Sequence, residues 1–275
     1  MGRLEGKVVF ITGAARGQGR SHAVRLAQEG ADVIAVDTSR PVDSVPYPLA
    51  RPEDLAETVR LVEAMDRRIV AVDADVRDRE SLDLAVAEGL REFGRLDIVL
   101  ANAGVSSPAP VLELSETAWQ EMIDINLTGV WRTLAASVPA IIEGGRGGAV
   151  VLTSSVAAVK ANENIGHYSA AKAGLVALAK VAAKEWAPHA IRVNTIHPTT
   201  VATGMVLNDS TYKLFRPDLD APTREEFEAA ATVVNLLPVA ALDPSEISEA
   251  VLHLVADSGR HITATQTLLD AGASL

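Results

Sequence analysis

Short apolar runs alternate with amphipathic stretches along almost the whole chain. The runs are Lys7–Ile11, Asp32–Val36, Ile69–Val72, Asp97–Ala101, Ala149–Thr153, Ile191–Ile196 and Thr267–Leu269. Most are continuous Val/Ile/Leu/Ala runs, the pattern of strands covered on both faces rather than one. Between them, residues near 17–29, 53–65, 79–93, 116–142, 168–186 and 245–256 show helical spacing. The last of these opens Asp243-Pro244-Ser245-Glu246, with a capping Asp, Pro at the first helical position and Glu at the third. Strand–helix alternation with right-handed crossovers predicts an α/β fold. It is a single-domain, doubly wound parallel sheet of about seven strands with helices on both faces.

Two stretches break the alternation. Thr38–Pro52 follows the second strand and holds Pro41, Pro46 and Pro48, which exclude a helix there. It reads as an ordered insertion, 38–52, placed to cover what the second strand binds. The second stretch, Pro198–Asn235, carries scattered apolar residues (Met205, Leu207, Tyr212, Leu214, Phe215). A lid over a site and a disordered loop both fit such a segment; its aromatics favour the lid, and 198–237 is taken as a substrate-loop region. No second domain, internal repeat or low-complexity tract is visible.

Composition narrows the function. The 275 residues, 48% hydrophobic, suffice for one large α/β domain with a sizeable core. A net charge of −11 argues against nucleic acid as a partner. The absence of cysteine excludes thiol catalysis, disulfides and zinc–thiolate sites. His22, His189, His253 and His261 lack metal-ligand spacing and read as surface or packing residues, so no metal is expected. Residues 1–7 are too charged for a signal peptide, Gly6 stands where myristoylation needs Ser or Thr, and no apolar run reaches spanning length. A cytoplasmic protein without a membrane partner is the expectation.

Three motifs carry chemistry. Thr12-Gly13-Ala14-Ala15-Arg16-Gly17-Gln18-Gly19 lies between the first strand and first helix. Its glycines permit a tight turn and close approach to a pyrophosphate on the helix N-terminus, or form a bare βα turn. Asp37 ends the second strand, where an acid accepts from both adenosine ribose hydroxyls; the alternative is a turn or cap Asp. A carboxylate about 6 Å from a 2′-phosphate costs roughly 3–5 kcal/mol at an effective dielectric of about 20. Asp37 therefore favours NAD over NADP, with Arg16 as a partial offset. Tyr168-Ser-Ala-Ala-Lys172 puts phenol and ammonium on one helix face. A cation about 4 Å away supplies roughly the 4 kcal/mol that lowers a phenol pKa by about three units. A surface Tyr–Lys pair has the same spacing.

Taken together, the Gly loop, Asn102-Ala103-Gly104, Asn126-Leu-Thr-Gly129, Ser155, Tyr168 and Lys172 resemble the short-chain dehydrogenase/reductase family in order and spacing. Ser155, thirteen residues before Tyr168, fits the family pattern and Ser154 does not. The resemblance implies catalysis by Asn126, Ser155, Tyr168 and Lys172. Tyr168 would take the hydroxyl proton, Lys172 would lower its pKa and hold the nicotinamide ribose, Ser155 would bond the reacting oxygen, and Asn126 would anchor a relay water. It also implies NAD contacts from Gly13, Arg16, Gly17, Gln18, Gly19, Asp37, Asp75, Val76, Asn102, Ala103, Gly104, Tyr168, Lys172, Pro198, Val201 and Thr203. Thr199 and Ala264 depart from the pattern, standing where Gly is usual.

A narrower resemblance joins Gly13–His22, Asp43–Leu49 and His197–Met205 to the mycofactocin-associated, carveol-dehydrogenase-like branch. That branch implies NAD held tightly beneath the insertion, with electrons passed to a redox peptide carrier. The substrate would be a hydrophobic secondary alcohol or its ketone, and the assembly a homotetramer. The rival readings are an NADPH-dependent carbonyl or acyl-carrier reductase, and a silent dinucleotide-binding regulatory protein. His167 and His197 flank functional segments and stand as candidate substrate or cofactor contacts. Trp119, Trp131 and Trp186 read as packing residues.

Overall fold

A computed structural model describes residues 2–275. Among these residues it has seven strands: β1 (Val8–Thr12), β2 (Asp32–Asp37), β3 (Ile69–Asp73), β4 (Ile98–Ala101), β5 (Gly148–Thr153), β6 (Ile191–Pro198) and β7 (Gln266–Leu269). The nine α-helices are α1 (Gly17–Gln28), α2 (Pro52–Glu63), α3 (Arg79–Phe93), α4 (Glu116–Ile123), α5 (Gly129–Gly144), α6 (Gly166–Trp186), α7 (Asp209–Phe215), α8 (Arg224–Val234) and α9 (Pro244–Val255). One sheet runs in the order β3-β2-β1-β4-β5-β6-β7, and every ladder is parallel. The order reverses between β1 and β4. A parallel sheet opens a crevice at the carboxyl ends of its strands at that switch.

Alternate strand residues feed two cores. Val8, Phe10, Ile34 and Val99 pack under α3, α5 and α6. Val9, Ile11, Val33 and Leu100 pack under α1 and α9. Local signals fix the helix starts. Asp78 accepts from Glu80 and Ser81 at the head of α3, and Asp243 from Ser245 at the head of α9. His22 lies buried between α1 and α9 with Nδ1 2.8 Å from the Ser248 hydroxyl, and burial lowers its pKa to about 3. It is a packing residue; His189, His253 and His261 are exposed.

Helices α4 and α5 are joined by a π turn over Asp124–Thr128, giving one helix from Glu116 to Gly144. It is long enough to span a membrane and holds an 18-residue window of mean hydropathy 1.2, which the apolar runs of the sequence did not suggest. Half of that window is buried within the protein. Trp186 packs on the core, but Trp119 and Trp131 do not, being 43% and 52% exposed on the outer face of the long helix. The segment after β6 is ordered: it contains α7 and α8, with Tyr212, Phe227 and Ala231 forming a small core of their own.

Candidate active site

The β1–α1 turn is built by its glycines. Gly13 (φ 70°) and Gly17 (φ 54°) hold left-handed backbone that disfavours side chains. A Cβ on Gly19 would stand 2.0 Å from the Gly13 carbonyl oxygen, so α1 packs against the turn only with glycine there. Asn102 clamps the turn from β4, donating from Nδ2 to the Thr12 carbonyl at 3.1 Å. Above it lies a cleft of about 970 Å³ lined by Gly13, Arg16, Gly17, Gln18, Asp37, Asp75, Val76, Asn102, Ala103, Gly104 and Thr203. The insertion contributes Arg40, Val42 and Leu49 to the same wall.

Asp37 sits at the mouth of this cleft. Its carboxylate accepts from the Ala15 and Thr38 amides, each at 2.8 Å, and keeps lone pairs for a further donor. Burial raises its pKa against those two bonds. Asp75 is engaged by Arg77 at 2.6 Å. Burial opposes ionisation of Asp75, but the Arg77 guanidinium outweighs it and holds the carboxyl below its usual range.

A second cleft of about 1680 Å³ adjoins the first and is lined by Ser155, Tyr168, Lys172, Pro198, Val201 and the apolar residues Val206, Leu214 and Phe215. Gln18, Asn102, Gly104, Thr203 and Met205 line both. Tyr168 and Lys172 occupy the first turns of α6, with Nζ 5.6 Å from the phenol ring centre. Lys172 donates to the Thr153 carbonyl at 2.7 Å. Burial raises the Tyr168 pKa, and the neighbouring Ser155 hydroxyl works against that rise. Burial also lowers Lys172 to about 7. Desolvation thus works against both charges. The simple Coulomb argument from spacing omits that loss of solvation.

Gly19 and Asn126 line neither cleft. Asn126 is fully buried and its amide is committed. Oδ1 accepts from Val105 N at 3.2 Å, and Nδ2 donates to the Val105 and Met122 carbonyls at 3.0 and 3.1 Å. A Cβ on Gly104 would stand 2.7 Å from Asn126 Oδ1 and 3.3 Å from Lys172 Nζ, so the loop after β4 touches both. His167 and His197 are fully buried and line neither cleft. His167 faces Ser107, and His197 faces Thr195 and Ser155. Sequence reasoning missed the partner of Tyr47, whose phenol oxygen accepts from Ser106 N at 3.0 Å. It also missed Arg40 and Arg77 on the cleft wall. A tyrosine inside a proline-rich insertion was visible in the sequence; its partner, 59 residues away, was not.

The family model for short chain dehydrogenases matches residues 7–213. The chain belongs to the short-chain dehydrogenase family. It is 50% identical to the (−)-trans-carveol dehydrogenase of Rhodococcus erythropolis over 277 residues, covering all of both chains. It is similar to the crystal structure of carveol dehydrogenase from Mycobacterium avium in complex with NAD, at a TM-score of 0.98 and 53% identity over 99% of each chain. A short chain dehydrogenase from Mycobacterium paratuberculosis bound to NAD matches with a TM-score of 0.91 and 44% identity, again over 99% of each.

The two departures of this short-chain dehydrogenase have separate explanations. Thr199 is not in left-handed backbone. Its amide donates to the Leu269 carbonyl and its hydroxyl to Asn235 Oδ1 at 3.2 Å, tying the base of the segment after β6. Ala264 does adopt a positive φ of 58°, the conformation in which glycine is the unstrained residue.

Proposed function

We propose that the chain interconverts a hydrophobic secondary alcohol, of the carveol-like terpenoid class, and its ketone with NAD. The observation that carries this reading is the convergence of Ser155, Tyr168 and Lys172 on the second cleft, which shares Gln18, Asn102, Gly104, Thr203 and Met205 with the first. The first cleft fits a dinucleotide. Its Gly13–Gly19 turn is a cradle that added Cβ atoms would fill, at the N-terminus of α1, and Asp37 keeps acceptor capacity at its mouth. NAD when bound supplies the hydride acceptor or donor. Gly13, Arg16, Gly17 and Gln18 would hold the pyrophosphate, Asp37 the adenosine ribose, Asp75 and Val76 the adenine. Asn102, Ala103, Gly104, Pro198, Val201 and Thr203, with Tyr168 and Lys172, would line the nicotinamide side.

The chain's own residues then move the proton. Ser155 bonds the reacting oxygen and Tyr168 takes or returns its hydrogen. Lys172, near pKa 7, exchanges a proton in the working range and supplies the positive field when protonated. Asn126, whose side-chain amide bonds the loop after β4, would anchor a relay water. The lid side chains Val206, Leu214 and Phe215 suit an apolar substrate. The insertion, as a wall of the first cleft, retains NAD, consistent with electron transfer to a mycofactocin-type redox peptide. The exposed Trp131 and Val181 on α5 and α6 suit a homotetramer interface. Action in the cytoplasm completes the reading. Asp37 disfavours the NADPH-dependent reductase alternative, since it would face a 2′-phosphate.

The test is Tyr168→Phe, which keeps the ring and removes the oxygen. Turnover with a terpenoid alcohol and an artificial electron acceptor should fall at least about 10²-fold with NAD still bound. Near-parental rates would end the assignment of Tyr168 as acid and base.

A further inference from the structure

β6 ends in His197-Pro198, and the His197 side chain is wholly buried behind the second cleft. Its Nδ1 lies 3.0 Å from the Ser155 carbonyl oxygen, and its Nε2 2.8 Å from the Thr195 hydroxyl. A carbonyl only accepts, so the hydrogen of this ring is on Nδ1. Burial lowers the ring's pKa and outweighs the raising effect of its bond to Ser155, with Lys172 a smaller lowering influence, so the ring is neutral and Nε2 accepts. The Thr195 hydroxyl must then donate to Nε2 rather than to the Thr265 carbonyl, which lies farther off at 3.3 Å. One tautomer satisfies the whole chain Thr195–His197–Ser155.

The other ties on this turn hold its neighbours. Ser154 N donates to the Ile196 carbonyl and Ser154 Oγ to the Lys172 carbonyl. Ser155 Oγ accepts from Ala157 N at 3.1 Å, and Ser155 lines the second cleft together with Tyr168. The Ser155 carbonyl accepts from Ala158 N at 3.0 Å within its own turn, and the imidazole is the side-chain donor that adds a second bond to it from β6. Loss of the second bond would leave the Ser155 backbone held only by its own turn, and the hydroxyl it carries would shift with it. We infer that His197 is a positioning residue for Ser155, holding its peptide so that the hydroxyl faces Tyr168. The inference rests on the acid–base reading of Ser155 and Tyr168 given above.

Three variants separate donation from packing. His197→Asn keeps an N–H near the Nδ1 position. His197→Gln carries its amide out toward Thr195, and His197→Leu fills the space with no donor. The first measurement is single-turnover hydride transfer in the NAD-loaded enzyme. The second is ultraviolet titration of the Tyr168 phenol, each variant read against its own Tyr168→Phe counterpart. With Leu and Gln the transfer rate should fall roughly 10-fold or more, as loss of one buried hydrogen bond implies, with KM nearly unchanged. Asn should restore most of the rate. The phenol should titrate higher with Leu and Gln, having lost the Ser155 bond, and at the parental position with Asn. Should the Leu variant not fold, the Asn–Gln pair decides. Equal rates in all variants, or equal losses with an unmoved phenol titration, would overturn the proposal. An active Tyr168→Phe enzyme would instead remove the acid–base reading, and the phenol titration would still report whether His197 orients Ser155.

Discussion

Two segments interrupt the regular strand–helix alternation, and they are attached to the protein in different ways. The insertion after β2 has no helix or strand, yet Val42, Tyr47 and Ala50 are buried and Val45 and Leu49 pack on the main core. Polar ties add to this: Ser44 N donates to Glu121 on α4, and Tyr47 accepts from Ser106 beyond β4. The segment after β6 has two regular helices but a separate core. There Tyr212 stacks on Phe227 at 4.9 Å and Phe215 meets it edge-on at 5.0 Å. Its outer side leaves Val233, Leu236 and Leu237 more than half exposed. It is joined to the body at its base, where Val201 pairs with Leu242 and Thr199 holds Asn235. Regular secondary structure is therefore no guide to rigidity here. Continuity with the main core is what makes a segment part of the scaffold.

That contrast predicts opposite responses. Replacing residues 40–50 by a short Gly-Ser link removes a wall of the cofactor cleft, and NADH release followed by stopped flow should accelerate at least about 10-fold, the equivalent of roughly 1.4 kcal/mol of lost contacts. Equal off-rates would mean the insertion packs without covering anything. Phe227→Ala removes the centre of the lid's own core, a change costing about 3–5 kcal/mol where a phenylalanine is fully buried. Because that core is separate, the loss should appear as proteolysis within residues 205–237 and a raised KM for the alcohol. Because only Thr203, Gly204 and Met205 of this segment reach the first cleft, NADH release should change far less than with the insertion replaced; equal acceleration would dissolve the distinction. Tyr47→Phe deletes one hydrogen bond to Ser106 and keeps the packing, so a stability loss of about 1–2 kcal/mol and a several-fold faster NADH release are expected. The smallest effect belongs to the frame that carries both segments. Ala264→Gly relieves a positive φ of 58° and should raise stability in thermal melts by about 0.5–1 kcal/mol, leaving both NADH release and KM as they were.

The sheet was legible because its signal is local. Apolar runs over 7–11, 32–36 and 191–196 need no partner to be recognised, and the observed strands start or end within two residues of them. The helices within 198–237 were not resolved from the sequence. Their apolar faces are short and pack on one another, so neither shows the long periodicity of a helix laid on a sheet. Trp119 and Trp131 misled for a related reason. A large aromatic on an amphipathic helix suggests burial, but which side of the helix meets the body depends on where α3 and α6 lie.

The sequence by itself determined the parallel sheet, the glycine turn at 13–19 and the family to which Ser155, Tyr168 and Lys172 belong, since order and spacing along the chain specify each of them. The tertiary structure alone decided how those groups are charged and held. Burial pushes Tyr168 up and Lys172 down to about 7. The Asn126 amide bonds the loop after β4, and His197 reaches Ser155 across 42 residues. Desolvation and hydrogen-bond satisfaction depend on what surrounds a group in three dimensions, and spacing along a chain does not encode them.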